Sequence, residues 1–477
     1  MSQLKSLQLG FAPSRRQVFS REEAMRFRAI LEKKMRGWGV GYVGLEGLNE
    51  DELLFDVTQV PEVAKRFREA GVQALFTPLC NFGCEAAITR LAQELLVPIL
   101  LWGPRDDAPG DDGLRLRDSQ CGLFATGKDL RRAGVPFSYL GNCWVEDPAL
   151  EWGLKTFLGA ANVVRTFKTL RIGQVGTRPG EFASVICSEA GLIEDFGIDV
   201  VPLDLGQLAD WTRALVAQPD DRVADARRLL GEKYRIGPDT DAETVTKMAA
   251  VYVALHRWLD DEGLTALGMQ CWSYLQDALG IAACWLIGLL EEEGIHLACE
   301  TDLHGAITSA LLSAATLGRE KIFFADLTVR HPDNPNAELL WHCGPFPPSL
   351  AAPGEEPALC PHFGMTGAGC LAGQFRLKQG DLTVARFDGD HGEYRLMAGE
   401  GHTTTGPATR GTYVWMEVGD WPRWEDRLVR GPYIHHVSGA YGHHAAVLHE
   451  ACRYLPGIES DLFEPTEEEV QAKWRAS

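Results

Sequence analysis

The sequence predicts an α/β protein: two doubly wound α/β domains, 1–168 and 169–350, followed by a small antiparallel β domain, barrel-like or sandwich-like, over 351–477. Three observations carry this expectation. Apolar runs alternate with amphipathic stretches through the first third of the chain. Near Arg171 a new run enters a glycine-rich turn and the alternation resumes. After Leu350 the texture changes to short apolar runs separated by Gly, Asp and Asn turns.

In order, GVGYVGLEG, VQALFTPL and PILLWG read as strands, with VPEVAKRFREAG and CEAAITRLAQELLV as the covering helices. An acidic loop, PRDDAPGDDG, follows, and EWGLKTFLGAANVVRTFKTL reads as a helical linker. LRIGQVGTRPGEF opens the second region. Its Gly173, Gly176 and Gly180 match neither the dinucleotide nor the P-loop spacing, so no nucleotide is inferred. The longest apolar stretch, Ala278 to Leu290, has 13 residues, which is a core helix because a bilayer span needs about 20. AAPGEEPALCP is a proline-rich joint, and GQFRLKQGDLTVARFDGDHGEYRLMAGEG then has the pattern of turn-linked strands. A helix is expected from Ala445 onward.

Composition narrows the function classes. A net charge of -20 with no Lys/Arg cluster disfavours nucleic acid and anionic membranes as partners. The N-terminal MSQLKSLQLGFAPSRR has no apolar signal core, and the 12 cysteines suit buried thiols in a reducing cytoplasm better than a disulfide framework. Cys80 and Cys84 are not spaced as CxxC, and no second pair stands nearby to complete a zinc site.

The chemistry-bearing residues gather in the last third. Glu300 ends IHLACE just before TDLHGA, and Asp326 ends KIFFAD just before LTVRHPDN. Each closes a short apolar run, and the segment between them has helical length and periodicity. This reads as a β-α-β unit with both acids at the carboxyl ends of parallel strands, about 4.8 Å apart, where open α/β sheets bind ligands. AELLWHC adds His342, and GPYIHHVSGAYGHHAAVLHE supplies five histidines. Glu300, Asp326, His342 and His444 together read as ligands of one divalent metal. His444 and His449 lie about 140° apart round a helix, so only one of them reaches a shared ion. Taken singly, a helix cap, a turn acid and a satisfied core histidine account for Glu300, Asp326 and His342 equally well.

These segments resemble the L-fucose isomerase and L-arabinose isomerase superfamily of sugar isomerases. The resemblance rests on LRLRDSQCG, RIGQVGTRPGEF, ACETDLHGAITSALL with FFADLT, LLWHCGPFPPSL, LKQGDLTVARF and GHHAAV. It implies two α/β domains with a small β-rich third domain and a divalent ion between the second and third. It places the acidic ligands on Glu300 and Asp326, and the histidine ligands on His342 and His444. The family commonly has Asn-His where this chain has His443-His444. A homo-oligomer, trimer or hexamer, is also implied.

Such a site would interconvert an aldose and its ketose through a cis-enediol, with Glu300 and Asp326 doubling as acid/base groups. Mixed oxygen and imidazole ligands suit Mn²⁺, with Co²⁺ or Mg²⁺ as replacements. The expected substrate is a deoxyhexose or pentose of the L-fucose, D-arabinose or L-arabinose type. Weaker substrate candidates are Trp272, Tyr274, Gln276, Trp341 and His443. A same-fold epimerase or isomerase of a modified sugar, and a non-catalytic sugar-binding protein, are the alternatives.

Overall fold

The structure, a computed structural model, describes residues 7–237, 240–367 and 369–475. The chain forms two units. One runs to Arg165 and adds His449–Pro456 and the stretch from Thr466; the other comprises Thr166–Leu448 and Gly457–Pro465.

The first unit holds a parallel sheet of five strands in the order Tyr42–Val43, Leu9–Phe11, Ala74–Pro78, Ile99–Trp102, Ser138–Tyr139. Numbered along the chain this is 2-1-3-4-5, a doubly wound order. Its covering helices include Val60–Glu69 and Glu85–Leu95, whose buried Val63, Phe67, Ile88 and Leu91 join one core with Leu75 and Leu101. The end of the chain, expected in the third domain, belongs to this unit. Trp474 meets Trp152 edge to face at 5.2 Å, and the Trp474 carbonyl accepts the Gly141 N–H at 2.8 Å. The expected linker is the helix Pro148–Lys168.

The second unit opens with a four-stranded parallel sheet in the order His296–Ala298, Ala266–Met269, Arg171–Val175, Asp199–Leu203. This is again a doubly wound order, reversing between Arg171–Val175 and Ala266–Met269. The chain then builds a closed antiparallel barrel of six strands: Glu393–Thr404, Asp381–Asp390, His436–Tyr441, Phe323–Arg330, Ala337–His342 and Thr412–Glu417. Pairing of Thr403 with Met416 closes it. Closure leaves those strands no free edge, which suits a small sheet better than an open sandwich.

Two local expectations change. Phe323–Arg330 is a barrel strand, antiparallel to both neighbours, so Glu300 and Asp326 do not end adjacent parallel strands. The intervening helix Leu303–Ala315 is the reason: all 13 of its residues are buried, and it lies against both the parallel sheet and the barrel. An apolar run carries no mark of which of two sheets it will join. The barrel therefore begins at Phe323, inside the span expected for the central domain. The expected helix from Ala278 to Leu290 is split into Tyr274–Leu279 and Cys284–Glu293. Gly280, at φ 74°, takes the left-handed conformation that ends the first piece.

No helix among the described residues is long and apolar enough to cross a membrane. All 12 cysteines are free, and six of them are buried.

An aromatic cluster seats the second unit's helices on the barrel. Phe387 is fully buried, with Phe167, Phe196, Tyr394 and His304 at ring distances of 5.4–6.2 Å. Phe387→Ala is expected to lower unfolding free energy by about 3–5 kcal/mol, read by denaturant titration; a loss below about 1 kcal/mol would show that the cluster bears little load.

Candidate metal centre

Three chain segments leave the carboxyl ends of the second parallel sheet and converge. After Val175 the glycine-rich turn leads to Phe182; after Met269 come Cys271 and Trp272; after Ala298 comes Glu300. Phe182 and Trp272 meet edge to face at 5.8 Å. Glu300 lies in the short turn Cys299–Thr301 with φ 55° and ψ 24°, and Thr301 follows with φ 58°. Left-handed conformations at two successive non-glycine residues are costly, and such strain concentrates at functional sites. The turn aims Glu300 into the protein, where it is 7% exposed. Its Oε1 accepts the Trp272 indole N–H at 3.2 Å and lies 3.5 Å from Cys271 Sγ, while Oε2 is buried with no hydrogen-bond partner.

The barrel supplies the other side. Asp326 and His436 stand directly opposite each other on paired antiparallel strands, and His342 ends the next strand. His436 Nε2 lies 3.7 Å from Glu300 Oε2 and 3.6 Å from Asp326 Oδ1, and Asp326 Oδ1 lies 3.7 Å from His342 Nε2. Asp326 Oδ1 and His342 Nε2 are, like Glu300 Oε2, buried without a hydrogen-bond partner. Buried polar atoms are ordinarily satisfied, so the orphans on Asp326 and His342, 3.7 Å apart, and the orphan on Glu300, 3.7 Å from His436 Nε2, mark places suited to a further partner. Donors about 2.1 Å from a common ion lie roughly 3 Å apart when adjacent and 4.2 Å apart when opposite; the three separations of 3.6–3.7 Å fall in that range and link the atoms in the order Glu300, His436, Asp326, His342.

His436 is oriented from behind. Its Nδ1 lies 2.8 Å from Asp302 Oδ2, so the ring donates there and Nε2 keeps a lone pair for the cluster. Asp302 is also held by Arg386, whose Nη1 bonds Oδ2 and whose Nη2 bonds Oδ1 at 3.1 Å. Arg386 continues to Asp388 at 2.8 Å, and Asp388 to His304 at 2.9 Å. Burial alone would raise the Asp302 pKa; the Arg386 charge and the His436 contact overcome it and hold the carboxyl far below its ordinary range. For His436 burial works downward, but Asp302, Asp326 and Glu300 outweigh it and raise its pKa. Glu300 goes the other way. Burial raises its pKa, offset only in part by His342 and His436.

Glu300, Asp326 and His342 are thus brought together, and His444 is not among them. His444 Nε2 lies 2.9 Å from the Tyr441 carbonyl and its own N–H donates to Thr383 Oγ1. Tyr441 ends the strand that begins at His436, and five residues of strand span about 16 Å. His444 therefore serves the turn into the helix Ala445–Cys452, and the imidazole that stands beside Glu300 and Asp326 is that of His436. His443 is also elsewhere, exposed between Glu400 and Asp381. Of the weaker candidates, Trp272 touches Glu300. Trp341 lies parallel to the His342 ring at 6.2 Å, with its N–H on the Arg410 carbonyl. Gln276 donates to the Cys271 carbonyl and Met365, which makes it a support of the turn. Tyr274 is 39% exposed, with its hydroxyl beside Gly206.

His435, missed in the sequence, offers a ring nitrogen within 4.8 Å of donor atoms on Asp326 and His436. Burial and then the His436 charge lower its pKa. His436 is not marked in the sequence as Glu300 and Asp326 are, because it stands at the start of an apolar run and not at its carboxyl end. In an antiparallel pair the end of one strand meets the start of the next, and His436 opens its strand.

Residues 10–168 match the family model described as fucose/sulfoquinovose isomerase, N-terminal domain. A sulfoquinovose isomerase of Alkalicoccus urumqiensis is 29% identical over 328 residues, 68% of this chain and 70% of that protein. One of Priestia aryabhattai is 29% identical over 307 residues, 64% of this chain and 66% of that protein. Among solved structures, a periplasmic solute binding protein of an ABC transporter from Actinobacillus succinogenes 130z, with bound D-allose, is 13% identical. It covers 65% of this chain and 92% of its own, and its TM-score of 0.18 gives it no weight.

Asp302→Asn leaves the shape in place but weakens the hold on His436. Mn²⁺ affinity, measured by calorimetry, is expected to fall by about 10- to 100-fold; unchanged affinity would mean that Asp302 does not orient the cluster.

Proposed function

This chain belongs to the fucose isomerase-like superfamily, and on that premise we propose that it is a divalent-metal-dependent isomerase interconverting an aldose and its ketose through a cis-enediol. The observation that carries the reading is the set of three buried, partnerless donor atoms on Glu300, Asp326 and His342, facing a fourth on His436 that Asp302 has turned toward them. Two carboxylates and two imidazoles, with no thiolate among them, suit Mn²⁺, with Co²⁺ or Mg²⁺ as replacements. When bound, such an ion supplies Lewis-acid stabilisation of negative charge on two adjacent sugar oxygens.

The chain's own residues supply the rest. Isomerisation moves one proton between C2 and C1 and another between O2 and O1. Glu300 is suited to the carbon-bound proton, because burial raises its pKa and makes the carboxylate a stronger base. Its Oε1 is fixed by Trp272, so the group moves a proton without swinging away. Asp326, on the opposite wall, supports transfer between the two oxygens. The rings of Phe182 and Trp272 give the apolar side of a sugar a surface to lie on.

The names of the relatives favour sulfoquinovose, a hexose with a sulfonate in place of one hydroxyl, over the L-fucose, D-arabinose or L-arabinose expected from motifs alone. A trimer-based homo-oligomer and a cytoplasmic location belong to the same proposal, and rest on the resemblance.

Chelation is expected to abolish turnover and Mn²⁺ to restore it; full activity in metal-free protein would rule the reading out. Glu300→Gln is expected to lower kcat by about 10²- to 10⁴-fold while circular dichroism stays unchanged, and a near wild-type rate would remove Glu300 from the proton transfer. Over a panel of sulfoquinovose, L-fucose, D-arabinose and L-arabinose with Mn²⁺, the highest kcat/KM is expected for sulfoquinovose. A preference for L-fucose would return the substrate to the deoxyhexose class.

A further inference from the structure

A second cluster lies beside the metal centre and plays no part in the proposed isomerisation. Cys284 opens the helix Cys284–Glu293 and is fully buried; its Sγ lies 3.1 Å from Cys343 Sγ. A donor nitrogen of His362 lies within 4.8 Å of both sulfurs. Cys343 directly follows His342, and its Sγ is 3.2 Å from His342 Nδ1.

The His362 tautomer decides what the cluster can do. Its Nδ1 accepts the backbone N–H groups of Gly364 and Met365, each at 3.0 Å. A neutral imidazole accepting at Nδ1 carries its proton on Nε2, and that atom is buried without a conventional hydrogen-bond partner. A protonated Nε2 has no lone pair for a metal, so His362 does not complete a zinc-type Cys₂His set. It offers instead an N–H to a neighbouring thiolate. Thiolate character at a helix start next to an imidazole N–H is the environment that makes a cysteine reactive.

We propose that Cys284 and Cys343 form an oxidation site, at which a hydroperoxide such as hydrogen peroxide converts the two thiols into a disulfide. The Cys284 thiolate attacks one peroxide oxygen; an S–O bond forms, the O–O bond breaks, and the departing hydroxide takes a proton and leaves as water. Cys343 then attacks the sulfenic sulfur as its thiol proton is lost. The S–S bond forms, the S–O bond breaks, and a second water leaves. Two electrons pass from the sulfurs to the peroxide. Closing the sulfurs from 3.1 Å to a bonded distance of about 2.05 Å moves a sulfur that lies 3.2 Å from His342 Nδ1. Resting on the metal-centre reading above, this couples peroxide to metal affinity through the residue next to a ligand.

The test uses full-length, Mn²⁺-loaded protein titrated with hydrogen peroxide and mapped by non-reducing peptide mass spectrometry. A Cys284–Cys343 cross-linked peptide is expected, with two of the 12 free thiols lost and both recovered by dithiothreitol. Cys284→Ser should lose no thiol at the same dose and keep its basal turnover. A bridge between other cysteines, sulfinic acid on Cys284 without a bridge, or both thiols intact at doses that oxidise the exposed Cys121 would each overturn the proposal. The wild-type map decides this even if the variant fails to fold, and it reads a covalent bond, so it stands apart from whether the protein isomerises a sugar. Mn²⁺ affinity of the bridged form is expected to be about tenfold weaker; equal affinity in bridged and reduced protein would overturn the coupling.

Discussion

The carboxylate of Asp302 holds the second unit's functional end together. It caps the helix Leu303–Ala315 by accepting the Gly305 N–H at 2.9 Å, pairs with Arg386 from the barrel, and receives the His436 ring. One buried acid therefore ties a helix start, a barrel strand and a candidate metal ligand to each other. A buried charge is tolerable only with full compensation, and here the compensating groups are the elements that must be in register for the donors to meet. Removing Arg386 would leave Asp302 and Asp388 facing low-dielectric surroundings with one cationic partner fewer, a loss felt in stability and in the aim of His436 alike.

The arrangement also separates two kinds of chemistry over a short distance. The oxygen and imidazole donors gather around Glu300 and Asp326, while the thiols of Cys271, Cys299, Cys284 and Cys343 are held just behind them. Cys271 is pushed up to about 11 by burial. A protonated thiol does not compete for a hard divalent ion, so Cys271 is a poor ligand for one. The left-handed backbone at Glu300 and Thr301 lies in the same place, at the turn that carries the carboxylate.

Much of this was legible in the chain. The alternation of apolar runs and helices gave both doubly wound sheets, and the turn-punctuated run around LKQGDLTVARF gave the barrel. Glu300, Asp326 and His342 were recognisable because acids or imidazoles at the ends of apolar runs are unusual. What could not be read was pairing at long range. KIFFAD is as apolar as a parallel strand, and only the fully buried helix before it, lying between two sheets, delivers it to the barrel. His436 followed from that same unseen pairing: its place opposite Asp326 is a property of antiparallel register. Adjacent histidines at 435–436 and 443–444 look alike in sequence, yet one pair opens a strand at the cluster and the other follows its far end.

The proposed isomerase activity requires that four donor atoms converge on one ion. Crystals grown with Mn²⁺ and measured at the manganese absorption edge would test it most directly. An anomalous peak within coordination distance of Glu300 Oε2, Asp326 Oδ1, His342 Nε2 and His436 Nε2 is the predicted result. A peak on His443 or His444 instead, or none at these four atoms at saturating Mn²⁺, would contradict it.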